Sequence, residues 1–273
     1  MTNKANTQYW DQRNTRIFSS VGHWQGGEDV IIEGHSLMND LMINASLMQV
    51  NILNATGKLV ARNVADWVET NFMGLSYPDS RIWCNQISAY AGDTKTSVVA
   101  AASAAILGAD SRAYGGGQTT QSSMTFLQVA YEDYTHGASF AQILQKARII
   151  NGKPMIIGFA RPIDKDDERL QPYKDSQLRL GLEMGKYLKF AFELSDYLFE
   201  HFGLSINSGG YAAAFLLDQG FTPEEGYKIK AFAVIGGAIA CYRDLEHSPA
   251  NSFLPMKCQD IDYIGVAPRE LPQ

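Results

Sequence analysis

Residues Met155–Arg169 read MIIGFARPIDKDDER, and the reading of this stretch decides the reading of the chain. An apolar run, Met155-Ile156-Ile157, enters Gly158-Phe159. A basic residue beside a proline follows, Arg161-Pro162, and then charges alternate densely from Asp164 to Arg169. A chain that buries a strand-like or helical end and then presents Arg161, Lys165 and Arg169 from a turn is laying out an anion site. Guanidinium and ammonium groups are the donors that recognise carboxylates and phosphates.

Outward from this stretch the dominant period is helical. Downstream, Leu180, Met184, Tyr187, Ala191, Leu194, Leu198 and Phe202 form one apolar stripe, which predicts a long helix over 178–202 stopped by Gly203. Asn207-Ser208-Gly209-Gly210 opens a helix over 212–219. Thr222-Pro223-Glu224-Glu225 combines a Thr cap, a proline in the first turn and a glutamate three residues after the cap, which predicts a helix running to about Leu245. Upstream, Leu37, Leu41, Ala45, Met48 and Ile52 predict a helix ended by Gly57, and Val60, Val64, Trp67 and Val68 another. The alanine-rich 96–107, a helix over 119–134 and a short one over 140–150 follow. Val30-Ile31-Ile32, set among glycines, predicts a short strand or hairpin. The expected class is all-α, with little sheet.

Bulk properties narrow the function. At 273 residues the chain is long enough for a substantial core. With net charge −6 and no basic stripe, nucleic acid is excluded as a partner. The longest near-apolar run, 98–109, is too short to span a bilayer, and the first residues lack a signal-like apolar region, so the expected setting is cytoplasmic with no membrane partner. Cys84, Cys241 and Cys258 form neither a disulfide framework nor a zinc motif, and the five histidines make no constellation, so no metal is expected.

Six short segments, in order and at matching spacing, carry a resemblance. They are Gly34-His35-Ser36-Leu37, Ile87-Ser88-Ala89-Tyr90-Ala91-Gly92, Tyr114-Gly115-Gly116-Gly117, Gly158-Phe159-Ala160-Arg161 with Asp167-Glu168-Arg169, Asn207-Ser208-Gly209, and Asp262-Tyr263-Ile264-Gly265. Over nearly its whole length the chain resembles the citrate synthase superfamily, above all the small citryl-CoA lyase-type members and the lyase module of ATP-citrate lyase. The resemblance implies a helical fold with a small lid at about 118–220 and a large part at about 30–117 and 221–273. It also implies a coenzyme A thioester as substrate or ligand, a carboxylate co-substrate, and a homodimer.

The departures are as informative. The family positions of the histidine that polarises the thioester carbonyl, the aspartate that removes a methyl proton and the histidine that activates the second carbonyl read Tyr114, Gly209 and Arg161 here. An arginine that reads substrate carboxylates on the penultimate helix is absent around Val234-Ile235-Gly236-Gly237, and Trp83 lies near a further active-site histidine position of the small lyases. Gly209 cannot act as a base, and losing one positioned acid or base typically costs a factor of ~10²–10⁴. Arg161 stays protonated at any workable pH, so it serves an oxyanion or carboxylate or else is a surface arginine in a turn. Tyr114 either donates to a carbonyl or wedges above the glycine turn, and Trp83 is either a ligand platform or core. By the resemblance, Lys165 grips coenzyme A phosphates and Arg169 a substrate carboxylate, with Gly158 shaping the loop; against that stands a solvated loop neutralised by Asp164, Asp166, Asp167 and Glu168. Gly115, Gly116, Asn207 and Gly209 are the expected pocket turns.

Two function classes remain: a divergent enzyme acting on an acyl thioester through Tyr114, Arg161 and Trp83, and a non-catalytic subunit that holds a coenzyme A ester or pairs with an active paralogue.

Overall fold

A computed structural model describes residues 7–111, 116–160, 167–250, 252 and 257–272. In chain order the helices are α1 (Gln8–Asp11), α2 (Met42–Asn44), α3 (Leu47–Thr56), α4 (Arg62–Met73), α5 (Trp83–Asp93), α6 (Val98–Ala109), α7 (Gly117–Thr135), α8 (Phe140–Leu144), α9 (Leu170–Arg179), α10 (Lys186–Phe202), α11 (Ser208–Asp218), α12 (Pro223–Ile229) and α13 (Ile235–Leu245). The strands are β1 (Gly22–Gln25), β2 (Asp29–Ile32), β3 (His35–Ser36), β4 (Ile149–Ile150) and β5 (Lys153–Pro154). The molecule is mostly helical, as expected. The hairpin expected around Val30–Ile32 is present: β1 pairs antiparallel with β2 across Gly26-Gly27.

Four helix expectations are corrected, each for a local reason. The stripe over 37–52 is not one helix. A π-helical turn over Leu37–Leu41 and the single turn of α2 give way to extended Ala45, and Ser46 restarts the chain by a capping box with Gln49. The segment expected as helix over 140–150 stops at Leu144. Ile149-Ile150 pairs instead with Lys153-Pro154 across Asn151-Gly152, both at positive φ, the backbone of a tight hairpin. The long stripe over 178–202 is helical only from Lys186, where α10 begins; α9 already ends at Arg179, and Gly181 in the left-handed region breaks the chain between them. Leu180, Leu182 and Met184 pack on the core from the connecting segment and so imitate helical spacing. The run from Thr222 to Leu245 keeps its predicted cap but breaks into α12, a 3₁₀ turn over Lys230–Phe232, and α13. The helices α5 and α9 were not anticipated as separate elements.

The chain divides into two compact units. One comprises residues 1–75 and 110–233 and includes the expected lid, 118–220. Its core centres on Trp67 of α4. That indole stacks on Phe215 with ring centroids 3.7 Å apart and on Tyr211 at 5.7 Å, and meets Tyr173 of α9 edge-on, also at 5.7 Å. The buried polar ends are satisfied: Trp67 donates to the Tyr173 carbonyl and the Tyr211 hydroxyl donates to Gln177. Ring packing of this kind binds α4, α9 and α11 into one block. At the far end of α11 the half-buried Asp218 carboxylate accepts the N–H groups of Tyr187 and Leu188, capping α10 from outside it.

The other unit comprises 76–109 and 234–273 and packs α5, α6 and α13 through small side chains. Cys84, Ala105, Ala109 and Ala238 form its buried centre, and Gly92 lies against the Tyr242 carbonyl where a Cβ has no room. The alanine-rich helix α6 buries Ala101, Ala105 and Ala109 on one face and exposes Val99 and Leu107 on another.

Candidate functional site

The loop after Ile157 is held by backbone contact with the start of α11. Gly158 has φ +97°, and a Cβ there would stand 2.8 Å from Gly210 Cα and 2.6 Å from Ser123 Oγ. Only glycine satisfies both the backbone and the space. The Gly158 carbonyl accepts the Asn207 N–H at 2.9 Å, and Asn207 Nδ2 donates to the Ala160 carbonyl at 2.6 Å. The same side chain turns its Oδ1 inward as the N-cap of α11, accepting from Gly209 N–H and Gly210 N–H. One asparagine thus ties loop and helix together.

Asp167 makes the second tie. Its carboxylate accepts Arg169 Nε at 2.7 Å and Nη2 at 2.8 Å, and its Oδ2 also accepts the Ser208 N–H at 2.7 Å. The Asp167 side chain is 1% exposed and that of Arg169 20%. Burial works to raise the Asp167 carboxyl, but the Arg169 guanidinium and the Ser208 N–H outweigh it, and the group is held at about 2. Arg169 Nη1 reaches the Gly74 carbonyl. Beneath it lies the buried Tyr173 ring, whose hydroxyl donates to the Asn71 carbonyl, with Gly74 packed against that hydroxyl. Burial pushes the Tyr173 phenol up to about 12, so it remains a proton donor.

The third component is Lys230, in the 3₁₀ turn after α12. Its Nζ donates to the side-chain oxygen of Asn71, and the amine lies 5.7 Å from the Phe72 ring centroid. Burial, helped by repulsion from Arg169, lowers the amine to about 7. Asn71 is fully buried, and its Nδ2 has no hydrogen-bond partner among the described residues. Arg169, Lys230 and the Asn71 amide nitrogen therefore bring donors to one neighbourhood.

Of the residues singled out in the sequence, Gly158, Arg169, Asn207 and Gly209 are gathered here. Gly116, at φ 103°, caps α7, whose first residue Gly117 packs on Tyr227. Trp83 lies in the other unit, half-buried at the start of α5, with its indole N–H given to the Gly108 carbonyl at 2.7 Å. Tyr114, Gly115, Arg161 and Lys165 lie outside the described residues. Asn71 and Lys230 were missed. The one signal available was a lysine opening an apolar run, Lys230-Ala231-Phe232-Ala233-Val234-Ile235. Among the described residues no three His, Cys, Asp or Glu side chains form a metal-binding group, and no helix is long and apolar enough to cross a membrane.

No family model and no curated protein matches this sequence. Solved structures do. Citryl-CoA lyase from Hydrogenobacter thermophilus superposes with a TM-score of 0.75 at 22% identity, covering 94% of this chain and 98% of that one. The fold is that of the citrate synthase superfamily. Within that superfamily, ATP citrate lyase from Methanosaeta concilii, in complex with (3S)-citryl-CoA, matches 98% of this chain at 14% identity and a TM-score of 0.73. This chain spans only 45% of that enzyme. Citrate synthase from Thermoplasma acidophilum, bound to carboxymethyl coenzyme A and oxaloacetate, matches 84% of this chain at 16% identity with a TM-score of 0.60, over 59% of its own length. The citrate-synthase fold extends across both compact units.

Proposed function

We propose that this protein binds a coenzyme A thioester and makes or breaks a carbon–carbon bond in its acyl partner with a non-standard set of groups. The observation that carries this reading is the anchored cationic site. Arg169 is pinned by Asp167 to the start of α11, beside Lys230, in a fold whose solved relatives are held in complexes with citryl-CoA and with coenzyme A. Gly158 and Asn207 shape the loop, Lys165 and Arg169 serve the anionic parts of the ligand, and Arg161 and Tyr114 supply the polarising contacts. No metal is assigned a role.

Ordinary citrate synthesis is not proposed, because no base stands at Gly209. One observation favours a second reading, a non-catalytic coenzyme A ester-binding subunit. Among the described residues a Cβ at Gly209 would meet only the Asn207 Oδ1, at 3.1 Å, so no backbone contact demands glycine there. The base position carries no side chain, and no backbone atom among the described residues crowds it.

The chain is further proposed to work in the cytoplasm as a homodimer with a lid at about 118–220. The exposed Val99 and Leu107 on α6 support the pairing. Sedimentation as a monomer at micromolar concentration would reject it.

The test of the main reading is a thermal-shift series with coenzyme A, acetyl-CoA, other acyl-CoAs and di- and tricarboxylates, followed by turnover assays on whatever binds. Ligands that bind the native state raise the melting temperature by mass action. A selective shift with turnover supports the enzyme, a shift without turnover supports the subunit, and no shift with any of them rejects both. Citrate made from acetyl-CoA and oxaloacetate well above background would reject the exclusion of ordinary synthesis.

A further inference from the structure

A lysine amine adds to carbonyl carbons only when it is neutral, because an ammonium has no lone pair to donate. With an ordinary value of about 10.4, nearly every exposed lysine is an ammonium at neutral pH. Two surroundings free the lone pair, removal from water and a neighbouring cation. Lys230 has both. The residue is 7% exposed, its amine lies 5.7 Å from the Phe72 ring centroid, and the charge that acts on it is that of Arg169, which repels it. The repulsion is built in, since Asp167 grips that guanidinium at 2.7 and 2.8 Å. Burial and Arg169 together lower the amine to about 7, which leaves roughly half of it neutral at neutral pH.

Asn71 completes the arrangement. Its Oδ1 accepts from the Lys230 Nζ, and its Nδ2 is buried with no hydrogen-bond partner among the described residues. A primary amide presents an acceptor and a donor side by side. With the oxygen orienting the amine, the nitrogen is left to donate to an oxygen on the carbon that the amine attacks. As a purely structural device the pair is expensive. Orphaned buried donors are uncommon, and an apolar pair of similar volume would fill the space without the cost of burying an amine and an amide.

We propose that Lys230 is a covalent catalytic residue that condenses with the carbonyl group of a small ketone or aldehyde, the Asn71 amide donating to the carbonyl oxygen. The Lys230 nitrogen attacks the carbonyl carbon and a C–N bond forms. Both protons of the neutral amine pass to the carbonyl oxygen, which leaves as water, and a C=N bond remains. Nothing is oxidised or reduced. Once protonated, the imine accepts the electron pair of a carbon–carbon bond one carbon removed, which cleaves that bond; the reverse flow makes it. Water then hydrolyses the imine and returns the amine. The assignment deepens the carbon–carbon reading given above and rests on it, by naming the group that holds the carbonyl partner. It does not require the other partner to be a thioester.

Reductive trapping on the full chain tests it. Wild type is incubated near pH 7 with acetaldehyde, acetone or pyruvate and sodium cyanoborohydride, digested, and mapped by mass spectrometry. The peptide holding Lys230 should gain the mass of the carbonyl compound less one oxygen. Its labelling should exceed that of any exposed lysine by on the order of tenfold or more, because the exposed amines are almost wholly protonated. Lys230→Met should lose this adduct, Asn71→Leu should form it several-fold more slowly, and Lys146→Ala, at an exposed lysine, should leave it unchanged. The map of the wild type decides the matter even if a variant does not fold. No adduct at Lys230 with any of the three compounds overturns the proposal, as does label spread evenly over the exposed lysines. An unchanged adduct rate in folded Asn71→Leu removes the role given to the amide. Coenzyme A takes no part in the trapping, so a failure of coenzyme A esters to bind would remove the thioester reading and leave this result standing.

Discussion

Asp167 and Ser208 are joined by a hydrogen bond from a backbone N–H at the start of α11 to a carboxylate that Arg169 already grips on its other side. The carboxylate is buried and has no slack. Replacing Asp167 with alanine leaves a guanidinium and a helix N–H without their acceptor, and should cost about 3–5 kcal/mol, as for other broken buried pairs. The sign with pH follows from the carboxyl being held at about 2, below its ordinary 3.8. Its contribution is complete above about pH 4 and is lost as pH falls through about 2. Urea unfolding of wild type and Asp167→Ala should therefore show a gap that is constant near neutrality and closes in strong acid.

Lys230 behaves in the opposite sense. Its amine is at about 7 in the folded chain against an ordinary 10.5. Above both values neither state is charged and there is no penalty. Between them the unfolded chain takes up a proton that the folded chain refuses, so stability falls as pH drops, and the full penalty is reached below about 7. At about 1.4 kcal/mol per unit, Lys230→Met should gain on the order of 3 kcal/mol more, relative to wild type, at pH 7 than at pH 10. Ligand-free melts at the two pH values check this. A gain independent of pH would contradict it.

Two glycines near the loop should respond differently to a methyl group. Gly158→Ala forces a side chain into a left-handed backbone and against Gly210 Cα and Ser123 Oγ, and should destabilise by roughly 2–4 kcal/mol. Gly209→Ala meets only one side-chain oxygen, in helical backbone, and should fall within about 1 kcal/mol of wild type. Paired thermal melts distinguish the two.

Asp218 caps α10 from α11, and its closeness to Gly185 leaves no room for a Cβ at that glycine. Asp218→Ala should cost about 1–2 kcal/mol, and hydrogen exchange should speed first at Tyr187 and Leu188, whose amides lose their acceptor.

The sequence showed the helical class plainly, because stripes such as Leu194, Leu198 and Phe202 report burial directly. Caps with local chemistry were legible as well: Thr222 with Glu225 stands where its spacing placed it. The breaks were harder to see. Leu180, Leu182 and Met184 face the core from a non-helical segment, and apolar spacing does not distinguish that from a turn of helix. Of the site, Gly158, Arg169 and Asn207 were visible as loop and cap residues, and a nearby acidic residue was rightly suspected of neutralising Arg169. That Asp167 does so was not readable, since its place depends on Ser208 approaching from elsewhere in the chain. Asn71 and Lys230 were missed for the same reason. Each is ordinary in its own segment and becomes unusual only when the two are brought together.

The ties of the site also set an order of events. Asp167 to Ser208 closes 41 residues of chain, Arg169 to Gly74 closes 95, and Lys230 to Asn71 closes 159. Long closures come late in folding, after local helices have formed, because their entropy must be met before the contact forms. During refolding, helical signal should therefore return well before the capacity to hold a ligand. A nascent or partly unfolded chain would be helix-rich yet blind to its ligand, and occupancy would report that the unit holding Asn71, Asp167, Ser208 and Lys230 has closed.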